Sequence, residues 1–123
     1  MNPVQLRLER WLQAILLTEK PSKKIRAFRF GLSEEEEGYL VYLAGSEKHD
    51  EVDDEWASYA PDFLAEKEAH VADGEVADWN ELLEMVMDLL KRALNASQVE
   101  ASFLGGTVPV YAGFIDGDLH RIK

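Results

Sequence analysis

The stretch Asp78 to Asn95, DWNELLEMVMDLLKRALN, leaves this chain the fewest options. Apolar side chains recur at Trp79, Leu82, Leu83, Val86, Leu89, Leu90, Ala93 and Leu94. That i, i+3, i+4, i+7 spacing lays one continuous stripe along a helix. Both ends are marked. Asp78 offers a carboxylate to the unpaired N–H groups of the first turn, and Glu81 stands where a capping box needs it. Lys91 and Arg92 complement the negative end of the helix dipole, and Asn95 suits the C′ position. Such a helix is stable only against another apolar surface, which the rest of the chain must provide.

A second helix is expected from Pro3 to about Glu19, with Asn2 as N-cap and Pro3 at the first helical position, where its missing N–H costs nothing. Val4, Leu8, Trp11, Leu12, Ile15 and Leu16 form its buried face, Trp11 in the middle as a core anchor, and Pro21 closes it. Lys23–Leu32 reads as a strand, with Arg26, Phe28 and Phe30 on one face. Tyr39–Ala44 is its antiparallel neighbour, apolar on both faces as a central strand would be. Residues 33–38, with four consecutive glutamates, are expected to be the solvated loop between them. Past the main helix, Val99–Leu104 alternates like a half-buried strand, and Gly105-Gly106 signals a hairpin turn. Thr107–Ile115 is a strand that Pro109 pushes to an edge or bulge. Asp116-Gly117 predicts a type I′ return through Ile122, and Asp73-Gly74 a turn into the main helix. Residues 63–72 show neither periodicity. The expected fold is one α+β domain over residues 1–123, a mainly antiparallel sheet packed on two main helices in the order α-β-β-(α)-α-β-β-β.

Charge is the strongest compositional feature. The chain of 123 residues carries −11, unevenly spread. Residues 1–30 hold seven Lys/Arg against two Glu, residues 31–90 hold two Lys against nineteen acids, and residues 91–123 hold four Lys/Arg against three acids. A segment of −17 repels nucleic acid and anionic membrane, and it either attracts a basic protein or serves solubility alone, the commoner use of such charge. There is no cysteine, so disulfides, thiolate metal sites and cysteine nucleophiles are excluded. The amino-terminal stretch has charges among its apolar positions, unlike a secretory signal, and no apolar run is long enough for a membrane span. A cytosolic protein is expected.

The most unusual segment is Gly45–Pro61, GSEKHDEVDDEWASYAP. Asp50, Glu51, Asp53, Asp54 and Glu55 crowd ahead of Trp56, with Tyr59 following, and a short helix over Asp53–Tyr59 suits acids at its start. These seven residues are the candidate partner-binding set, aromatic anchors ringed by charge. Two other readings of the same acids compete: a plain solvated loop, and a metal site with His49 or His70. The EF-hand pattern fails, because counting from Asp50 the glycine and glutamate places hold Glu55 and Pro61. HExxH, GxSxG and the phosphate-binding glycine loop are absent, so no catalytic residue, metal ligand or cofactor is assigned.

A strand ending in LAGS, an acidic run ending in DDEW, the DWNELLEMV helix and the closing YAGFIDGDL hairpin together resemble small uncharacterised acidic bacterial α+β families that include polymorphic-toxin immunity proteins. The resemblance spans most of the chain after Val41 and carries over no functional residue. It implies a non-enzymatic interaction module, most concretely an inhibitor of a basic toxin. Two alternatives stand beside it: the metal-binding module or metal-dependent enzyme, and a small structural or adaptor domain, dimeric through an exposed edge strand.

Overall fold

Alternation along one strand sorts the molecule into layers. The structure, a computed structural model, describes residues 3–36, 38–73, 78–115 and 117–123. In β1 (Ala27–Glu35), Phe28, Phe30 and Leu32 point into the main core, while Ala27 belongs to a smaller cluster on the opposite face. β1 pairs antiparallel with β2 (Gly38–Ser46), from Ala27↔Ser46 to Glu35↔Gly38. On its other side it runs parallel to β5 (Val110–Phe114), from Phe28↔Val110 to Leu32↔Phe114. The two-residue β3 (Phe63–Leu64) and β4 (Ala69–Asp73) share the outer side of β2, and β6 (His120–Arg121) closes the side of β5. All pairings but β1–β5 are antiparallel.

α1 (Pro3–Thr18) and α2 (Trp79–Leu94) cover one face. Leu8, Trp11, Leu12 and Ile15 meet Leu82, Leu83, Val86, Leu90 and Leu94 over the strand side chains. Trp11 is the anchor its place in the stripe predicts: its ring stands edge-on to Phe30 at 5.8 Å, and its indole N–H donates to the Lys67 carbonyl at 2.9 Å. Asp78 caps α2, its carboxylate accepting from the N–H groups of Asn80 and Glu81. Among the described residues, no helix is long and apolar enough to cross a membrane.

Several elements differ from expectation, each for a local reason. Residues 33–35 continue β1 instead of forming a loop, because a strand accepts glutamates whose side chains stay in water, as those of Glu34 and Glu35 do. Val99–Leu104 is not a strand. It opens as α3 (Ser97–Glu100), whose local hydrogen bonds, such as Glu100 N–H to Ala96 at 3.1 Å, satisfy the backbone while Val99 and Leu104 still reach the core. Gly105-Gly106 therefore joins a helix to a strand and is no hairpin. Asn95 is right-handed at φ −86°, since the chain runs on into α3. Pro109 lies just before β5 and accepts from the Phe28 N–H through its carbonyl, where its missing donor costs nothing. β6 returns antiparallel with Tyr111↔Arg121 and Ala112↔His120, a longer connection than a two-residue turn allows. Residues 63–72 supply β3 and most of β4, pieces too short to show alternation. Asn2, Gly74 and Asp116 lie outside the described residues.

Candidate functional site

The sheet face away from the helices is covered by the acidic segment itself. Asp54–Ser58 form a turn of 3-10 helix within the predicted helical stretch, and its Trp56, 4% exposed, packs on Ala27 and Tyr111. The Trp56 and Tyr111 rings meet edge to face at 5.3 Å. The His49 ring packs against both, at 5.2 and 5.6 Å, and its Nε2 shares a hydrogen bond with the Tyr111 hydroxyl at 2.7 Å. Beside this cluster Tyr42 lies over its cross-strand partner Gly31, and its hydroxyl accepts from the Arg29 guanidinium at 2.9 Å. An aromatic ring covering a bare glycine keeps that part of the sheet dry.

Short polar contacts fix the segment along its length. Asp50 accepts from the Val52 N–H at 2.8 Å, and Asp53 caps the 3-10 turn by accepting from the Glu55 N–H at 3.0 Å. Ser58 donates to the Glu55 carbonyl, and Asp62 accepts from the Glu47 N–H. Glu51 lies 3.5 Å from Arg121, but both side chains are well exposed, so the pair contributes little. The Tyr59 hydroxyl donates to the Glu55 carboxylate at 3.2 Å, and that contact, followed by the repulsion of a phenolate by Glu55, raises the Tyr59 pKa.

Asp50, Glu51, Asp53, Asp54 and Glu55 thus all stand exposed on one ordered segment, with Tyr59 half exposed beside them. Trp56 departs from its expected role. Its ring is spent on the sheet, so it holds the acids in place and offers a partner no contact. Sequence reasoning missed His49 and Tyr111 as holders of the segment: they are 62 positions apart, and only the pairing of β5 with β1 brings Tyr111 under the loop. His70 sits on β4, on the far side of β2 and β1 from Tyr111, so the two histidines do not converge. Among the described residues no group of three or more His, Asp or Glu is placed to hold a metal ion.

Burial raises the Tyr111 pKa above the ordinary tyrosine value, outweighing the nearby Arg121 charge that lowers it. The fold therefore favours the neutral phenol. Its stabilisation is complete below about pH 10 and is lost as pH rises through the folded value. Tyr111→Phe should cost about 1 kcal/mol at neutral pH, the worth of one hydrogen bond, and should flatten the alkaline loss of stability. Urea titrations from pH 8 to 11 measure both. An unchanged alkaline limb would show that Tyr111 does not report on this packing.

Comparison with protein-family models, curated proteins and solved structures returns no match.

Proposed function

We propose that this chain is a non-enzymatic interaction module whose ordered acidic surface docks a basic protein, in the manner of a cytosolic immunity-type inhibitor masking a cationic toxin face. One observation carries the reading: five exposed carboxylates ride on a segment pinned by a buried tryptophan. Ordering that segment is already part of folding, so a partner does not bear that entropy again on binding. The −17 held by residues 31–90 adds long-range steering of a basic protein, which speeds encounter and weakens with salt.

The test avoids Asp53, whose carboxylate caps the 3-10 turn. Tagged protein captures its partner from host lysate at low salt, mass spectrometry identifies it, and association kinetics follow. The double variant Asp54→Lys, Glu55→Lys should slow association about tenfold or more at low salt, with little change in dissociation. Its melting temperature should stay within a few degrees of the parent, because both side chains are exposed. An association rate indifferent to the reversal and to salt would rule out this surface.

A further inference from the structure

A groove of about 650 Å³ opens where the parallel strands β1 and β5 end, beside the first turn of α2. Four rings line it: Tyr39, Trp79, Phe114 and the imidazole of His120. Phe114 is met edge to face by Trp79 at 5.4 Å and by Tyr39 at 6.2 Å. Trp79 belongs to the apolar stripe of α2 yet is 55% exposed, whereas Trp11 and Trp56 are buried. Glu34 and Asp118 bring carboxylates to a wall that Asn80, Leu83 and Gly117 share, and among the described residues no lysine or arginine lines it. The first-turn N–H groups of α2 facing this end are already bonded to Asp78, which removes the usual attraction of a helix start for anions.

The groove has a neighbour that touches the acidic segment, although Arg29 lines that neighbour too. Gly117 and Asp118 wall both the groove and this smaller cleft of about 270 Å³, whose other wall includes Asp54 and Ser58 of the acidic segment. Residues 117–118 thus stand between the acidic segment and the groove.

We infer that this groove receives the guanidinium of an arginine side chain, presented by the basic partner. Aromatic faces attract cations, and a planar guanidinium stacks on a tryptophan better than an ammonium does. Its fork can also pair with a carboxylate, here Glu34 or Asp118. The inference rests on the proposed docking of a basic protein and names the group that this chain grips.

The probe is N-acetyl-argininamide, titrated while the three indole N–H signals are followed by NMR, with Trp79 assigned by its loss in Trp79→Phe. A saturable shift confined to the Trp79 signal is expected, with a dissociation constant on the order of millimolar. The neutral citrulline analogue should bind about tenfold more weakly, and Glu34→Gln should weaken the arginine probe by roughly threefold or more without altering the melting curve. No saturable shift, or an equal response to the citrulline analogue, overturns the inference. The Asp54→Lys, Glu55→Lys variant should keep the probe response. Probe binding retained while that variant captures its partner normally would overturn only the docking surface proposed above. Partner capture without probe binding would overturn only the arginine groove.

Discussion

Trp56→Ala should destabilise the protein by about 3–5 kcal/mol, the range for emptying a buried tryptophan site. For a chain of this size that is a fall in melting temperature of roughly 10–20 °C. The indole fills the space between the 3-10 turn and the sheet face at Ala27 and Tyr111, and few other apolar groups join it there: Ala57 and Leu119, each partly buried. Ala27 and Tyr111 are fixed in strands, Ala57 is small and the His49 ring is held by its bond to Tyr111, so the cavity closes poorly. The acidic segment should open as a unit. Lys48, exposed and the one lysine or arginine between Gly45 and Pro61, then becomes a trypsin site, cut about a hundredfold faster or more than in the parent. Trp56→Phe separates packing from polarity. The Trp56 indole nitrogen is buried without a hydrogen-bond partner among the described residues, an arrangement that costs about 1–3 kcal/mol. Phenylalanine gives up some contact area but removes that donor, so it should fall within about 1 kcal/mol of the parent. Chemical denaturation and limited proteolysis of both variants decide the matter. An alanine variant as stable and as resistant as the parent would mean that the segment is held by something other than Trp56.

The second large effect is expected from one methyl group. Gly105→Ala should cost about 3 kcal/mol, the upper part of the usual range for overpacking. A Cβ at this position would lie 1.9 Å from the Glu100 carbonyl oxygen and 2.5 Å from its carbon, and backbone cannot rotate aside as a side chain can. Nor can the loop slide away. Leu104 is buried in the core, and the Lys123 ammonium donates to the carbonyls of Leu104 and Val108 at 2.7 and 3.1 Å. Two neighbouring comparisons make the prediction sharp. Gly106 has φ +68° with open space around it, so Gly106→Ala should cost only about 1 kcal/mol of left-handed strain. Gly31→Ala meets the Tyr42 ring at 2.1 Å, but that ring can swing out, losing its bond to Arg29 for about 1 kcal/mol. Urea unfolding of the three variants should place Gly105→Ala well below the others. Equal midpoints would show that the α3 turn relaxes freely.

The first of these effects bears on the proposed function. A loosened acidic segment keeps its charge but loses its arrangement, so Trp56→Ala should retain salt-sensitive attraction to a basic partner while dissociating faster. The end-of-sheet groove, framed by Phe114 and α2, should be untouched by that change.

Helical periodicity was legible because it repeats over many turns and its ends carry specific chemistry. The stripe of α1, the cap at Asp78 and the burial of Leu82 through Leu94 all follow from residues within one turn of one another. β2 was legible for a related reason: a run apolar on both faces has to be covered on both. The same reading over-reached at Trp79, where the stripe continues past the end of the core, and at Val99–Leu104, where six alternating residues fit a helical turn as well as a strand.

By itself the sequence determined two amphipathic helices, a strongly acidic middle and an α+β chain without cysteine chemistry, since each follows from local spacing or from counting. Only the tertiary structure decided that β1 is flanked by a parallel β5, because strand pairing is set by contacts between residues some eighty positions apart. That one pairing puts Tyr111 beneath His49 and Trp56, and so turns an acidic loop into an ordered acidic surface. It also brings the end of β5 at Phe114 alongside β1 and against Trp79 of α2, making a groove from residues that no local pattern relates.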